Sequence, residues 1–126
     1  MKKLAIFIAA LAALSACSVD PEKAAVRRTA LIQQVFPNPS DQQGLDLVFP
    51  LASSGVVTQL EIGYFTKDVS QAEVTRRVAS FCARQNSSRL TGQARIDKDM
   101  GLSARTFSDG SKKQIHTVWY DCVRAK

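Results

Sequence analysis

Histidine, tryptophan and glutamate are scarce in this 126-residue chain, and each scarcity closes off chemistry. His116 is the one histidine, so a Ser-His-Asp arrangement would have to use it. Asp121 lies five residues further along the same predicted strand, which puts it on the opposite face and unable to orient the imidazole. A G-x-S-x-G nucleophile elbow is missing as well. With a single histidine and neither H-x-x-x-H nor C-x-x-C spacing, a metal has no first set of ligands. Asp97 and Asp99 flank Lys98 but lack the remaining oxygen ligands and the glycine of a calcium loop, so they read as a solvated turn. The glutamates are Glu22, Glu61 and Glu73; two suit helix starts and one an exposed strand face, which leaves no carboxylate pair for glycoside hydrolysis. The sequence therefore predicts a protein that is not an enzyme and uses no cofactor or metal.

Long hydrophobic runs are also lacking, apart from residues 4–14. That stretch of Leu, Ala, Ile and Phe is too short for a spanning helix, which takes about 20 residues. It follows the positive Met1-Lys2-Lys3 and precedes the small Ser15 and Ala16, the layout of a secretory signal over residues 1–16. Leu14-Ser15-Ala16-Cys17 resembles the lipobox of bacterial lipoproteins. The resemblance covers about the first eighteen residues, and no domain family is recognised beyond them. It implies that the Cys17 thiol receives a diacylglycerol, that the chain is cut just before it, and that the new amino group is acylated, typically with palmitate. One acyl chain binds a membrane only marginally, whereas two or three hold firmly, so the mature chain would be anchored and not spanning. Ser18, rather than an aspartate, follows the cysteine; in a Gram-negative host this resembles an outer-membrane sorting signal, with the domain facing the periplasm.

Loss of Lys2 and Lys3 with the signal would leave 15 basic against 11 acidic side chains, a net charge of +4. So mild a charge suits anionic partners such as lipid headgroups, lipopolysaccharide or wall polymer. Nucleic acid is a poor partner, because no dense basic patch is interleaved with aromatics. With Cys17 lipidated, Cys82 and Cys122 remain, and an even remainder in an oxidising compartment predicts a disulfide. Two separately buried thiols are the alternative; a redox pair would want C-x-x-C.

Residues 17–44 read as a lipidated terminus, a short helix and a linker. Asp20-Pro21-Glu22 looks like a helix start, with Asp as N-cap and Pro at the first helical position. A flexible tether is the competing reading. Residues 37–44, PNPSDQQG, have the composition of a linker, so the folded domain is expected over 45–126. Residues 45–51 and 56–65 alternate as two strands of a hairpin, and Pro50 places the first at an edge. Ser70-Gln71-Ala72-Glu73 fits a capping box, and Val74, Val78, Phe81 and Cys82 form one helical stripe, with Arg76, Arg77 and Arg84 off its centre. Residues 89–97, 102–107 and 113–123 read as three further strands, with a possible bulge at Gly92, a turn at 98–101 and an Asp109-Gly110 hairpin turn. The expected class is α+β: a β-hairpin, a main helix and a three-stranded meander in one antiparallel sheet of about five strands, plus a short N-terminal helix. No repeat at a solenoid period is present.

The last strand poses a conflict, because both of its faces are partly apolar. If Asp109-Gly110 is a two-residue turn, Ala104 pairs with Ile115 and Leu102 with Thr117; one more residue in the turn exchanges the partners. Cys122 shares a face with Val118 and Tyr120, which the main helix should cover. Trp119 is on the other face, to be covered by the N-terminal helix or by a ligand. Trp119 with Arg95 and Arg105 on neighbouring strands forms a candidate binding face for a glycan or a protein, against the plainer expectation that the ring is core. The functional expectation is a membrane-anchored envelope lipoprotein acting as a binding or scaffolding module, its partner another envelope protein or an anionic wall or lipid component. An inhibitor or exclusion factor is the alternative, and a small envelope enzyme a more remote one.

Overall fold

Asp20 caps the first helix, accepting the Glu22 N–H at 3.0 Å, and Pro21 takes the first helical position, where its missing N–H costs nothing. Helix α1 (Pro21–Val35) ends before Pro37, and a one-turn helix α2 (Pro39–Gln42) sits within the segment that reads as linker. Strands β1 (Leu45–Ser53) and β2 (Val56–Phe65), helix α3 (Gln71–Arg84), and strands β3 (Leu90–Thr106) and β4 (Lys112–Arg124) come next. The computed structural model describes residues 20–126, so Cys17 and the signal lie outside the described residues.

The class is α+β with one four-stranded antiparallel sheet, in the order β1-β2-β4-β3. Pro50 is in an edge strand, where a missing donor does not break a ladder. Among the described residues the sheet has four strands and not the expected five. Residues 98–101, read as a turn, are part of β3, which runs unbroken for 17 residues. Asp99 does accept the Gly101 N–H at 2.8 Å, the local bond that makes aspartate a turn former. Here that bond sits in an irregular ladder, with register shifts at Ile96/Lys98 and Asp99/Gly101, and the chain bends without reversing. The predicted meander is therefore one long β3–β4 hairpin.

The turn of that hairpin is longer than two residues. The Phe107 N–H bonds to Ser111 O at 2.8 Å, and Gly110 has φ +86°, a left-handed position that glycine takes without strain. Leu102 accordingly pairs with His116 and Ala104 with Gln114. A second shift, between Leu45 and Leu47, splits the apolar residues of β1. Leu45 and Val48 are buried in the core, while Leu47, Phe49 and Leu51 belong to the other face.

The core joins Val48, Leu60, Ile62 and Tyr64 from the hairpin to Val118, Tyr120 and Cys122 of β4 and to Val74, Val78, Phe81 and Cys82 of α3. Ile32, Val35 and Phe36 of the α1 region belong to the same cluster, and Phe36 packs edge-on against Phe81. Helix α1 is thus part of the folded unit and not a tether ahead of a domain starting at Leu45. It also lies on the Cys122 face together with α3, and not over Trp119 as the two-faced strand suggested.

Ser70 accepts the Glu73 N–H at 3.1 Å, one half of the capping box. The Glu73 carboxylate turns instead to Arg76 and Arg77, whose guanidinium hydrogen bonds hold it down to about 2. Arg77 is buried, contrary to its expected place off the stripe. It donates to Asp41 O at 2.9 Å and Gln43 O at 2.7 Å, fastening residues 37–44 along α3. Gly92 stands at a register shift with φ +78°, and a Cβ there would come within 3.2 Å of the Ala83 Cβ, so α3 and β3 approach at a point where only glycine fits.

Cys82 and Cys122 form the expected disulfide across a separation of 40 residues. Replacing both cysteines with alanine should lower the unfolding free energy by about 4 kcal/mol on the loop-entropy argument, read from urea denaturation. Arg77→Ala should cost about 2–3 kcal/mol in the same assay by stranding the Asp41 and Gln43 carbonyls, whereas exposed Arg95→Ala should cost under about 0.5 kcal/mol. Equal losses at the two arginines would refute the role given to Arg77.

Candidate functional site

Alternation along β4 separates the sheet into two unlike faces. Val118, Tyr120 and Cys122 point into the core, and Thr117, Trp119 and Asp121 point away from it. Register then builds the outer face row by row. Trp119 pairs with Glu61 of β2 and Lys98 of β3; Asp121 pairs with Gln59 and Arg95. Next to Glu61 and Gln59 on the edge strand come Phe49 and Leu51, which are 45% and 38% exposed. Every buried apolar residue of the helices belongs to the core on the opposite side. Among the described residues no helix packs over the Trp119 part of the outer face, whereas Ile115, on the same face towards the Phe65 end, is buried.

At the end of this face where β1 and β4 finish, a groove of about 700 Å³ is bounded by Leu51, Thr58, Gln59, Arg95, Asp121 and Arg124 among others. Asp121 is its fixed point. Gln59 Nε2 donates to Asp121 Oδ1 at 2.7 Å, and Arg95 Nη2 is 3.5 Å from Oδ2. The Arg95 side chain is 70% exposed while that of Asp121 is 16% exposed, so the carboxylate is held from below and the guanidinium remains available to solvent.

Of the candidate residues, Trp119 and Arg95 share the outer face, one row apart. Arg105 does not join them. It pairs with Lys113 near the hairpin tip and its guanidinium binds Asp46, which also meets Arg28 of α1 at 3.5 Å. It ties α1 and β1 to the long hairpin, because its β4 partner Lys113 lies six residues, about 20 Å, from Trp119. Trp119 is half-buried among its strand neighbours and is not part of the core cluster.

A polar chain that sequence reasoning missed lies on the inner face. His116 Nδ1 is 2.8 Å from Tyr64 Oη, and His116 Nε2 is 2.7 Å from Asp99 Oδ1. Asp121 is indeed on the other side of β4, but Asp99, read as part of a solvated turn, reaches the ring from β3. The β2 alternation hinted at Tyr64; the Asp99 partnership depends on bulges that leave no periodic signature. Burial pushes the Tyr64 hydroxyl up, and the hydrogen bond from His116 is the main cause that holds the Asp99 carboxyl down. A phenol harder to ionise and a carboxylate easier to ionise suit a structural clamp between three strands better than an activated nucleophile.

No group of three or more His, Cys, Asp or Glu among the described residues could hold a metal ion, and no described helix is long and apolar enough to cross a membrane. Compared with models of protein families, with curated proteins and with solved structures, the chain matches none.

The lowered Asp99 titration has a definite sign. A carboxyl whose folded pKa lies below its unfolded value stabilises the fold above the unfolded value, and that contribution disappears as pH falls through the folded one. Wild type should therefore unfold at a higher temperature than Asp99→Asn at pH 7, and the gap should close as pH falls below about 4. A gap that is constant from about pH 7 to about pH 2.5 would rule the clamp out.

Proposed function

We propose that this chain is a membrane-anchored envelope lipoprotein, lipidated on Cys17, whose domain is a non-enzymatic binding or scaffolding module. In a Gram-negative cell Ser18 assigns it to the outer membrane, facing the periplasm. The observation that carries the binding reading is the part of the outer face that no helix covers: α1 and α3 pack on the other side, and this part presents Phe49, Leu51 and Trp119 beside Glu61, Lys98, Arg95 and Asp121. An aromatic anchor with apolar neighbours and a charged rim is the usual composition of a recognition surface. A face of this kind left open by the described residues has a cost in exposed apolar area unless something occupies it. The partner is another envelope protein or an anionic wall or lipid component.

Asp20 comes three residues after Cys17, a reach of about 10 Å when fully extended. A lipidated Cys17 would thus hold the domain close to the bilayer, with little freedom to wander. The test uses the native chain in cells. Cys17→Ser should abolish palmitate labelling and leave the precursor uncut, and a photoreactive residue at Phe49 should capture an envelope component that the same residue at exposed Val26 of α1 does not. Absence of palmitate on the wild type would remove the anchor; equal capture from both positions would remove the binding face.

A further inference from the structure

We infer that the groove one row beyond Trp119, around Asp121, Arg95 and Arg124, is a binding site for an anionic glycan, a carboxylated polysaccharide that crosses the end of β4. The inference rests on the open-face reading above and gives that face a ligand class.

Three features of the groove point to this chemistry together. First, Trp119 is two residues from Asp121 on the same face, about 7 Å along the strand, so a flat apolar surface adjoins a polar one. Sugars present the same pairing, C–H faces beside hydroxyls. Second, the Asp121 carboxylate is pre-set. Gln59 and Arg95 occupy part of its acceptor capacity, which leaves further lone pairs for ligand hydroxyls, and the bond to Gln59 keeps the group from swinging away. Third, Arg95, Arg124 and Lys126 bring three cationic side chains to a groove with one carboxylate side chain, Asp121. The surplus is positive, and arginine forks match carboxylates bidentately. A volume of about 700 Å³ falls within the range of small-ligand clefts.

The direction of the chain favours a wall-side polymer over a lipid headgroup. Ala25, Arg28 and Thr29 of α1 border a small cavity with Leu45, Asp46, Phe65 and Arg105, where β1 starts and β2 ends. The C-terminal residue of α1, Val35, accepts from Arg84 at the end of α3, and the adjoining Gln85 accepts from Val57 at the start of β2. Helix α1 therefore runs, from its C-terminus back to its N-terminus, away from the groove and towards the Phe65 end. The ten residues of β2 separate these ends by about 30 Å. A bilayer gripped through Cys17 would lie at the Phe65 end, and the groove would face outward.

The protein contains one tryptophan, one row from Asp121 of the groove, so its intrinsic fluorescence reports on the neighbourhood of this site. The mature protein in detergent would be titrated with oligogalacturonate, with a neutral maltooligosaccharide of equal length, with polyglutamate, and with phosphatidylglycerol nanodiscs. A saturable change in Trp119 emission with oligogalacturonate is expected, with at least roughly tenfold weaker binding after Arg95→Ala or Arg124→Ala. The neutral sugar should bind at least tenfold more weakly, and polyglutamate should leave the emission unchanged. An equal response to polyglutamate would reduce the site to a non-specific cationic patch. A response to nanodiscs alone would make it a lipid site, and no response to any probe, while a purified envelope protein shifts the emission, would make it a protein-docking face; each overturns the inference. The N-terminal mass of the same preparation separates the two readings: a lipidated Cys17 without glycan binding sinks the site and leaves the anchor, and an unmodified Cys17 with glycan binding does the reverse.

Discussion

The Cys82–Cys122 bridge decides which side of β4 is the inside. It fastens the apolar stripe of α3 to the row that also holds Val118 and Tyr120, and side-chain alternation then sends Thr117, Trp119 and Asp121 outward. Everything of functional interest on the outer face depends on that assignment. A strand with two partly apolar sides has two ways to pack, and a covalent link in one row removes the ambiguity.

With α3 pinned, the rest of the inner layer assembles around it. Arg77 holds residues 37–44 along α3, which brings Phe36 against Phe81 and seats α1 beside β1. The absence of a Cβ at Gly92 lets β3 come close to Ala83. Tyr64, His116 and Asp99 fasten β2, β4 and β3 at the other end, so the sheet is clamped by a disulfide towards one end and by a hydrogen-bonded chain towards the other. A sheet held rigid from behind can keep its front face open, and rigid support is what a binding surface needs if little affinity is to be lost in ordering it.

The two helix starts, the disulfide, the edge position of β1 and the covered side of β4 were legible because each rests on a local rule. Asp20 before Pro21 and Ser70 before Glu73 satisfy nearby backbone donors; Pro50 lacks a donor of its own; Cys82 falls on the stripe with Val74 and Val78. The strand count was not legible. The residues around Asp99 carry a real turn signal, and the chain uses the very bond that creates the signal, but a 13-residue β4 is long enough to pair with both halves of β3. Register failed for the same reason. One-residue shifts at Leu45/Leu47, Leu51/Ala52, Ile96/Lys98 and Asp99/Gly101 and one more residue in the 108–110 turn each exchange the faces of the residues beyond them, and none alters composition or periodicity enough to be seen beforehand.

The sequence alone determined the pairing available to its two internal cysteines and the scarcity of reactive side chains, since both depend on which residues are present. Only the tertiary structure decided that Arg105 leaves Trp119 for Asp46, that Asp99 reaches His116, and that Gln59, Arg95 and Asp121 meet beside the one tryptophan. These are contacts between strands far apart in the chain. Their geometry depends on summed register shifts across the sheet, a property of the whole ladder that no single segment contains.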